Sequence, residues 1–404
     1  MKKIAIIGYG VVGGGITAVL EANAAKIESA VGERVEVGYI LDLRDFPDSP
    51  YADRVVHDIQ PILDDPDVVL VCETMGGSHP ALEFSLACMK AGKSVVTSNK
   101  EVVANFGDKL LECARENGVT YMFEAAVGGG IPVIRPFYTS LAGEPVSSVA
   151  GILNGTTNFI LSKMKSEGRE FDDVLREAQM LGYAEANPAA DVDGIDAKRK
   201  IIILTALSSG SLLSEADVYA ETMRNITPLD IAAAAKWGGA VKLIARCEID
   251  NGSVAAYVCP MFVPASNPLS HISDVYNGIS VTSPTCGDIM FYGRGAGRFP
   301  TAGAVMSDVV AILSGAAKHE TQPKFEKAEG TSVSFSDIPF AYYIRSEANC
   351  TDMCDALAMS ASNVTVLSDE AGIVEVIAGE MTQTELSRIM PNLGDVKSVI
   401  RILK

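Results

Sequence analysis

The sequence has no Cys-x-x-Cys pair, an excess of acid over base and no long hydrophobic run, and each of these removes a class of protein. Its cysteines are scattered at Cys72, Cys88, Cys113, Cys247, Cys259, Cys286, Cys350 and Cys354. Cys350 and Cys354 lack a further His or Cys at metal-binding spacing, which argues against zinc ribbons and thioredoxin-like motifs. Free thiols in a reducing compartment are expected. Lys and Arg number 33 against 51 Asp and Glu, a formal charge of −18. That balance argues against nucleic acid or an anionic membrane as partner. No stretch reaches the ~18 apolar residues of a membrane-spanning helix. Lys2-Lys3 and the apolar residues up to Leu20 imitate a secretory leader. The glycines between Gly8 and Gly14 dilute that run, however, and no Ala-x-Ala-like site follows. A soluble, cytoplasmic protein is expected. There is no repeat at solenoid period and no low-complexity tract.

What remains is an ordinary globular composition. At 404 residues and 48% hydrophobic content, the chain can bury two or three cores without disulfides. Ile4-Ala5-Ile6-Ile7 reads as a short buried strand. It runs into Gly8-Tyr9-Gly10-Val11-Val12-Gly13 and then a helical stretch from Ile16 to Ala30. In this G-x-G-x-x-G, Gly8 permits the tight turn and Gly10 lets a pyrophosphate approach the backbone. Gly13 lets the helix pack against the strand. The helix N-terminus offers free N–H groups to phosphates. A second strand, Val35 to Leu41, ends at Asp42. Strand, glycines and helix in this order predict a dinucleotide-binding fold.

The alternation continues. Val68 to Cys72 is a buried strand ending at Glu73-Thr74-Met75-Gly76-Gly77. A helix over 80–91 follows, then strand Ser94 to Thr97, a helix over 101–117 and strand Thr120 to Glu124. Such βαβα order predicts a parallel, doubly wound sheet whose ligands lie beyond the carboxyl ends of the strands. Ser98-Asn99-Lys100 falls at such an end. A lysine at a helix start opposes the helix dipole, so a ligand role competes there with a plain surface lysine. Glu124, followed by Gly128-Gly129-Gly130 and Pro132, reads either as a turn or as a loop whose oxygens could hold a monovalent cation.

Residues 182–200 are the densest in chemistry. Glu185, Asp191, Asp193 and Asp196 stand close to Lys198, Arg199 and Lys200, just before the apolar run Ile201 to Leu204. On one helix, Asp196 and Lys200 share a face at i,i+4 spacing. An acid and an amine at the edge of a core can hold a small polar substrate and move a proton. The plain alternative is a solvated helix start with an ordinary ion pair.

Taken together, these segments resemble the homoserine dehydrogenases. The resemblance is carried by Gly8 to Gly13, Ser98-Asn99-Lys100, Glu124 to Pro132, Gly151-Ile152-Leu153-Asn154-Gly155-Thr156-Thr157-Asn158, Gly182-Tyr183-Ala184-Glu185, Asp191 to Lys200, and Gly295-Ala296-Gly297-Arg298-Phe299-Pro300-Thr301. They follow the family order over roughly residues 1–315. The resemblance implies reversible interconversion of L-homoserine and L-aspartate 4-semialdehyde with NAD or NADP, in threonine, methionine and isoleucine biosynthesis. It implies Lys200 as the acid–base lysine, Lys100 as a second active-site lysine, and Asp196 at the hydroxyl end of the substrate. It assigns Glu185 to the substrate amino group. Gly8, Tyr9, Gly10, Val11, Val12, Gly13, Thr74, Met75, Lys100, Gly182 and Gly303 fall where the family meets its cofactor. Glu124, Val127, Gly129 and Ile131 match its monovalent cation site, for Na+ or K+. A homodimer or homotetramer is implied.

A lysine accepts a proton from an alcohol only with a lowered pKa. Lys100 and Lys200 facing one another are expected to lower each other, with Asp196 opposing. Family members that use NADP often carry a basic residue just before the acid that ends the second strand. Leu41 holds that position here. Asp42 suits a free ribose 2′-hydroxyl and Arg44 suits a 2′-phosphate, which leaves NAD and NADP both open.

Three domains are expected: a Rossmann-type cofactor domain over 1–137, completed by a returning helix over 298–316; an α/β substrate and dimerisation domain over 138–297; and a C-terminal domain over 330–404. Residues 316–329 read as a linker. The last domain has a βαββαβ order that resembles an ACT domain, a ferredoxin-like effector module. Its segment Ser346 to Asp352 lacks the glycine of the usual effector turn. Two other functions share the cofactor fold. A semialdehyde dehydrogenase needs a nucleophilic cysteine, and no cysteine here has such a context. A non-catalytic nicotinamide-binding sensor would not need Lys100, Glu185, Asp196 and Lys200, and all four are present.

Overall fold

The computed structural model describes all 404 residues. The first six strands are β1 (Lys2–Ile7), β2 (Val35–Leu41), β3 (Val55–Val56), β4 (Val68–Glu73), β5 (Ser94–Thr97) and β6 (Tyr121–Met122). They pair in parallel in the order β3-β2-β1-β4-β5-β6. The order reverses between β1 and β4, which makes the crevice there the ligand position of this Rossmann-type fold. Ile4, Ile6, Leu70, Val71, Val95 and Val96 are fully buried. Their unbroken apolar runs follow from helices covering both faces. Those helices are α1 (Val11–Ala22), α2 (Ala24–Val31), α3 (Gln60–Asp64), α4 (Ala81–Lys90) and α5 (Lys100–Glu116).

The first helix departs from expectation at both ends. It begins at Val11 rather than Ile16, and Asn23, at φ −115°, separates α1 from α2. Glycine is a poor helix former, and Gly13-Gly14-Gly15 fall in the first turns of α1. Packing overrides that preference. A Cβ on Gly13 would lie 2.2 Å from the Gly8 carbonyl oxygen, and one on Gly15 would lie 2.8 Å from the Arg298 carbonyl oxygen. Gly13→Ala is therefore expected to push α1 off β1, lowering the thermal midpoint and weakening dinucleotide binding at least tenfold. A melting curve and a cofactor titration check both. The strand expected over Thr120 to Glu124 is extended only at Tyr121–Met122, because Glu124–Ala126 coil into a 3-10 turn.

The middle of the chain contains α6 (Ile134–Tyr138), β7 (Ser148–Ile152), α7 (Gly155–Glu167), α8 (Phe171–Met180), α9 (Ala189–Val192), α10 (Ile195–Ser209), β8 (Ser211–Leu212), β9 (Tyr219–Ala220) and α11 (Pro228–Trp237). It continues with β10 (Gly239–Asp250), β11 (Ser253–Pro264), β12 (Tyr276–Ser283), β13 (Gly287–Arg294) and α12 (Arg298–Leu313). Strands β13, β12, β7, β10 and β11 pair antiparallel in that order, with β7 inserted between β12 and β10. Ile201 to Leu204 of α10 are buried in the same cluster as Val241, Leu243 and Ala245 of β10. Helix α12 returns to the first sheet, where Ala302, Val305, Met306 and Val309 share a core with Ile4, Ile6 and Leu20.

The C-terminal elements are β14 (Glu326–Lys327), β15 (Pro339–Glu347), α13 (Cys350–Ala358), β16 (Val364–Glu370), β17 (Ile373–Thr382), α14 (Gln383–Ile389) and β18 (Asp395–Ile402). Strands β18, β15, β17 and β16 pair antiparallel in that order. This sheet is not separate. β18 adds in parallel to β11, with Met261 opposite Arg401 and Phe262 opposite Ile402. Arg401 is buried at the seam, 2.5 Å from Glu221 and 2.7 Å from Gln383, with its guanidinium 4.7 Å from the centre of the Phe335 ring. Arg345 reaches the buried Asp230 on α11 at 2.9 Å.

The expected linker over 316–329 is packed onto the body instead. Phe325 is buried, 6.0 Å from Phe123 between ring centres, in space that the absent side chain of Gly107 leaves open. Glu320 accepts from Arg135, and β14 pairs with β8. The charges of the segment read as solvated chain, while a single aromatic residue anchors it. No helix is long and apolar enough to cross a membrane.

Candidate active site

The turn from β1 to α1 is prepared for phosphate. Gly8 adopts φ +90°, which only glycine takes without strain. Gly10 caps α1 with no side chain bonded to the helix N-terminus, and the first turn carries no acid. A Cβ on Gly10 would meet nothing within 4 Å. Open space above uncapped N–H groups fits a dinucleotide pyrophosphate. Val11 is exposed and Val12 half-buried at this edge. The Thr74 hydroxyl donates to the Gly8 carbonyl at 2.6 Å, so the loop after β4 is fastened to the turn. At the end of β2, Asp42 accepts from Tyr9 N–H at 2.8 Å and from Arg44 Nε at 3.0 Å. The Arg44 guanidinium, with the Tyr9 N–H behind it, holds the Asp42 carboxyl down at about 2.

Lys100, Lys200, Asp196, Glu185 and Gly182 line one cavity of about 650 Å³ between the two sheets. Lys100 is the first residue of α5, after the cap Asn99. Asp196 and Lys200 lie on α10, which starts after Gly194 at φ +77°. Asp196 joins the two lysines: its Oδ1 is 2.6 Å from Lys100 Nζ and its Oδ2 is 2.7 Å from Lys200 Nζ. Lys200 also donates to the Leu153 carbonyl at 2.7 Å. An ammonium has three donors, so one position of this buried lysine remains for the cavity. Glu185 stands exposed on the rim, in a loop held by the Thr156 hydroxyl on the Tyr183 carbonyl at 2.6 Å.

The two lysines move in opposite directions. Burial depresses Lys200, and the charge of Lys100 adds to this, against the pull of Asp196. Burial also works to lower Lys100, but the charge and hydrogen bond of Asp196, with Asp191 beyond it, outweigh burial and raise it. The mutual lowering expected from the sequence therefore holds for Lys200 alone. Lys100 keeps 39% of its side chain exposed, so it pays less desolvation for the same acid. Burial works to raise Asp196, yet the charges of Lys200 and Lys100 hold it well below the carboxylate range.

Sequence reasoning gave no role to Asn154 or Asp191. Asn154 caps α7 by accepting from Thr157 N–H at 2.9 Å, and its amide donates to Asp191 at 2.7 Å and to Asp196 at 3.0 Å. The signal was present, since Asn-Gly-Thr-Thr before an apolar run is a helix start. Its second use, gathering two carboxylates, needs the fold.

Gly303 and Glu124 are not in this cavity. They line a neighbouring one of about 500 Å³, and Arg294 borders both. The Glu124 carboxylate caps α6, accepting from the N–H groups of Val133, Ile134 and Arg135 at 2.6, 2.8 and 2.8 Å. Its side chain is thereby used up. No donor of the protein reaches the carbonyl oxygens of Val127, Gly129 or Ile131, although all three residues are buried. No cluster of His, Cys, Asp and Glu side chains suited to a metal exists in the chain.

A family model described as the NAD-binding domain of homoserine dehydrogenase matches residues 8–124, and a second, described as homoserine dehydrogenase, matches 132–310. The homoserine dehydrogenase of Synechocystis sp. is 43% identical over 319 residues, covering 77% of this chain and 73% of that protein. The chain belongs to the homoserine dehydrogenase family. It is a nicotinamide-dependent oxidoreductase acting on homoserine. The crystal structure of a homoserine dehydrogenase from Thiobacillus denitrificans superposes with a TM-score of 0.90 at 30% identity, covering 100% of this chain and 98% of that one. A mutant hyperthermophilic archaeal homoserine dehydrogenase in complex with NADPH gives a TM-score of 0.66 at 28% identity, over 77% of this chain and 98% of that one.

Proposed function

We propose that Lys200 exchanges the hydroxyl proton of homoserine while Asp196 and Lys100 hold the reacting end in place. The observation that carries this reading is the buried Lys200, depressed in pKa and bonded to Asp196 and Leu153 with one donor position facing the cavity. In oxidation the neutral amine of Lys200 accepts the hydroxyl proton. In reduction its ammonium returns that proton to the forming alcohol. A nicotinamide, when bound, supplies the hydride acceptor or donor. Lys100 steadies the substrate oxygen at the cavity mouth, and Glu185 receives the substrate ammonium on the rim. Asp196 contributes position, since its charge keeps both lysines in a fixed geometry.

Gly8 to Gly13, Thr74, Met75, Gly182 and Gly303 supply backbone and small surfaces to the cofactor. NAD is the preferred form in this reading. The ionised Asp42 suits a 2′-hydroxyl and repels a 2′-phosphate, and it occupies Arg44. Asp42→Ala releases Arg44 and is expected to move the ratio of kcat/KM for NADP over NAD upward by at least tenfold. Purified protein with homoserine and either cofactor, followed by absorbance of the reduced nicotinamide, tests the activity, the preference and this shift together.

A Na+ or K+ ion fits the carbonyl oxygens of Glu124, Val127, Gly129 and Ile131. Buried carbonyls without donors favour a hard cation. Ala150, Tyr276, Ser280, Met290 and Tyr292 lie on one face of the second sheet, the first four half-buried and Tyr292 58% exposed. This face supports a homodimer, or a dimer of dimers, built across a two-fold axis. The C-terminal βαββαβ unit is an ACT-like module used as structure. The Asn349 side chain caps α13 by accepting from Asp352 N–H at 3.2 Å, and Arg401 and Arg345 anchor the unit to the body. Eight free thiols fit the reducing cytoplasm.

A further inference from the structure

Glu73 ends β4 at the switch point of the first sheet. It is fully buried, and no basic side chain pairs with it. Its Oε1 accepts from Met75 N–H at 2.7 Å, and its Oε2 accepts from the Thr97 hydroxyl at 2.5 Å. The Thr97 oxygen accepts in turn from Asn99 N–H at 2.9 Å. Asn99 caps α5 through Val102 N–H at 3.2 Å and donates to the Gly77 carbonyl at 2.7 Å. The bonds close a ring from Glu73 through Thr97 and Asn99 back to the 74–77 loop.

The ring joins three segments. Thr74 fastens the loop to the dinucleotide turn. Met75 lies in the loop itself. Lys100 directly follows Asn99 at the first position of α5. A hydroxyl has one proton, and the proton of Thr97 is spent on Glu73, which leaves its oxygen free for Asn99. That polarity requires an acceptor at Oε2, and the Met75 N–H requires one at Oε1. A buried carboxylate without a cation is costly, and burial pushes this one up to about 7. A turn that served the fold alone would be as well served by a neutral side chain.

We propose that Glu73 is a positioning residue which, through Thr97 and Asn99, keeps Lys100 and the Thr74–Met75 loop in one register for hydride transfer. This rests on the reading of Lys100 and the loop as substrate and cofactor contacts.

The test uses the full-length enzyme with homoserine and with homoserine deuterated at its hydroxyl-bearing carbon. Glu73→Gln presents a donor where one acceptor is needed, and Thr97→Val removes the hydroxyl at nearly constant volume. Each is expected to lower kcat tenfold or more and to raise the isotope effect on kcat. A smaller folded fraction would leave the isotope effect unchanged. Thr97→Ser keeps the hydroxyl and is expected to recover most of the loss. The double variant is expected to be no worse than either single one, because both break the same ring. If Glu73→Gln does not fold, the Thr97→Val and Thr97→Ser pair carries the test. Lys100→Met is assayed alongside. An impaired Lys100→Met beside a Thr97→Val with wild-type kcat and isotope effect overturns the positioning role alone. Full turnover in Lys100→Met overturns the reading of Lys100 and the role built on it. Additive losses in the double variant also overturn the role.

Discussion

Lys200→Ala is expected to lower kcat for homoserine oxidation by about 10²–10⁴-fold, the usual cost of losing a general acid–base group, while the chain still folds. The loss is large because no other neutral base stands at that point of the cavity. Lys100 is raised in pKa and held by Asp196, so it stays charged where Lys200 can be neutral. The fold survives because Asp196 retains Lys100 at 2.6 Å and Asn154 at 3.0 Å, and its charge remains paired. Lys200→Met repeats the experiment with the aliphatic stem filled in, separating lost chemistry from lost packing. Circular dichroism and cofactor binding report the fold and the first site, and steady-state turnover reports the chemistry. Wild-type kcat in either variant would remove Lys200 from proton transfer.

The second large effect is expected from Asp196→Asn, in stability as well as turnover. The carboxylate sits between two ammonium groups at 2.6 and 2.7 Å. An amide leaves the buried Lys200 facing the like charge of Lys100, with the Leu153 carbonyl as its remaining strong acceptor. Breaking a buried pair on one side costs about 3–5 kcal/mol. The sign of the pH dependence follows from linkage. Lys200 already has a folded pKa below its unfolded value, and the amide depresses it further. Between the folded and the unfolded pKa the unfolded chain binds more protons, so stability rises with pH across that window. In Asp196→Asn the window opens at lower pH than in the wild type. Urea midpoints at neutral pH and nearer the ordinary lysine value should show a large deficit that partly closes as pH rises. A deficit that is absent, or that widens with pH, would mean that Asp196 does not hold Lys200.

Much of the site could be read from the chain because its chemistry is local. Asp196 and Lys200 are four residues apart on one helix, and helical geometry brings them together. Gly8, Gly10 and Gly13 are spaced by the turn they make. The unreadable parts depend on segments far apart in sequence. Lys100 meets Asp196 across two domains, so the opposite shifts of the two lysines could not be deduced from an expected face-to-face pair. Gly13 and Gly15 lie inside a helix because the Gly8 and Arg298 carbonyls come too close for any Cβ, and propensity alone points the other way. Phe325 in a charged stretch, and β18 joining β11 through only two residue pairs, carry no periodic signal. Asn154 starts a helix, a local signal, but its grip on Asp191 and Asp196 appears only when α9 and α10 fold over it.

In the proposed mechanism one buried lysine takes the substrate proton in one direction and returns it in the other. The most direct measurement is kcat against pH for homoserine oxidation and for aspartate 4-semialdehyde reduction, with the same enzyme and cofactor pair. Oxidation needs the neutral amine, so its rate should rise as pH passes the depressed pKa of Lys200. Reduction needs the ammonium, so its rate should fall across the same pKa, below the ordinary lysine value. Lys200→Ala should abolish both limbs. Profiles that change in the same sense in both directions, or that persist in Lys200→Ala, would contradict the account.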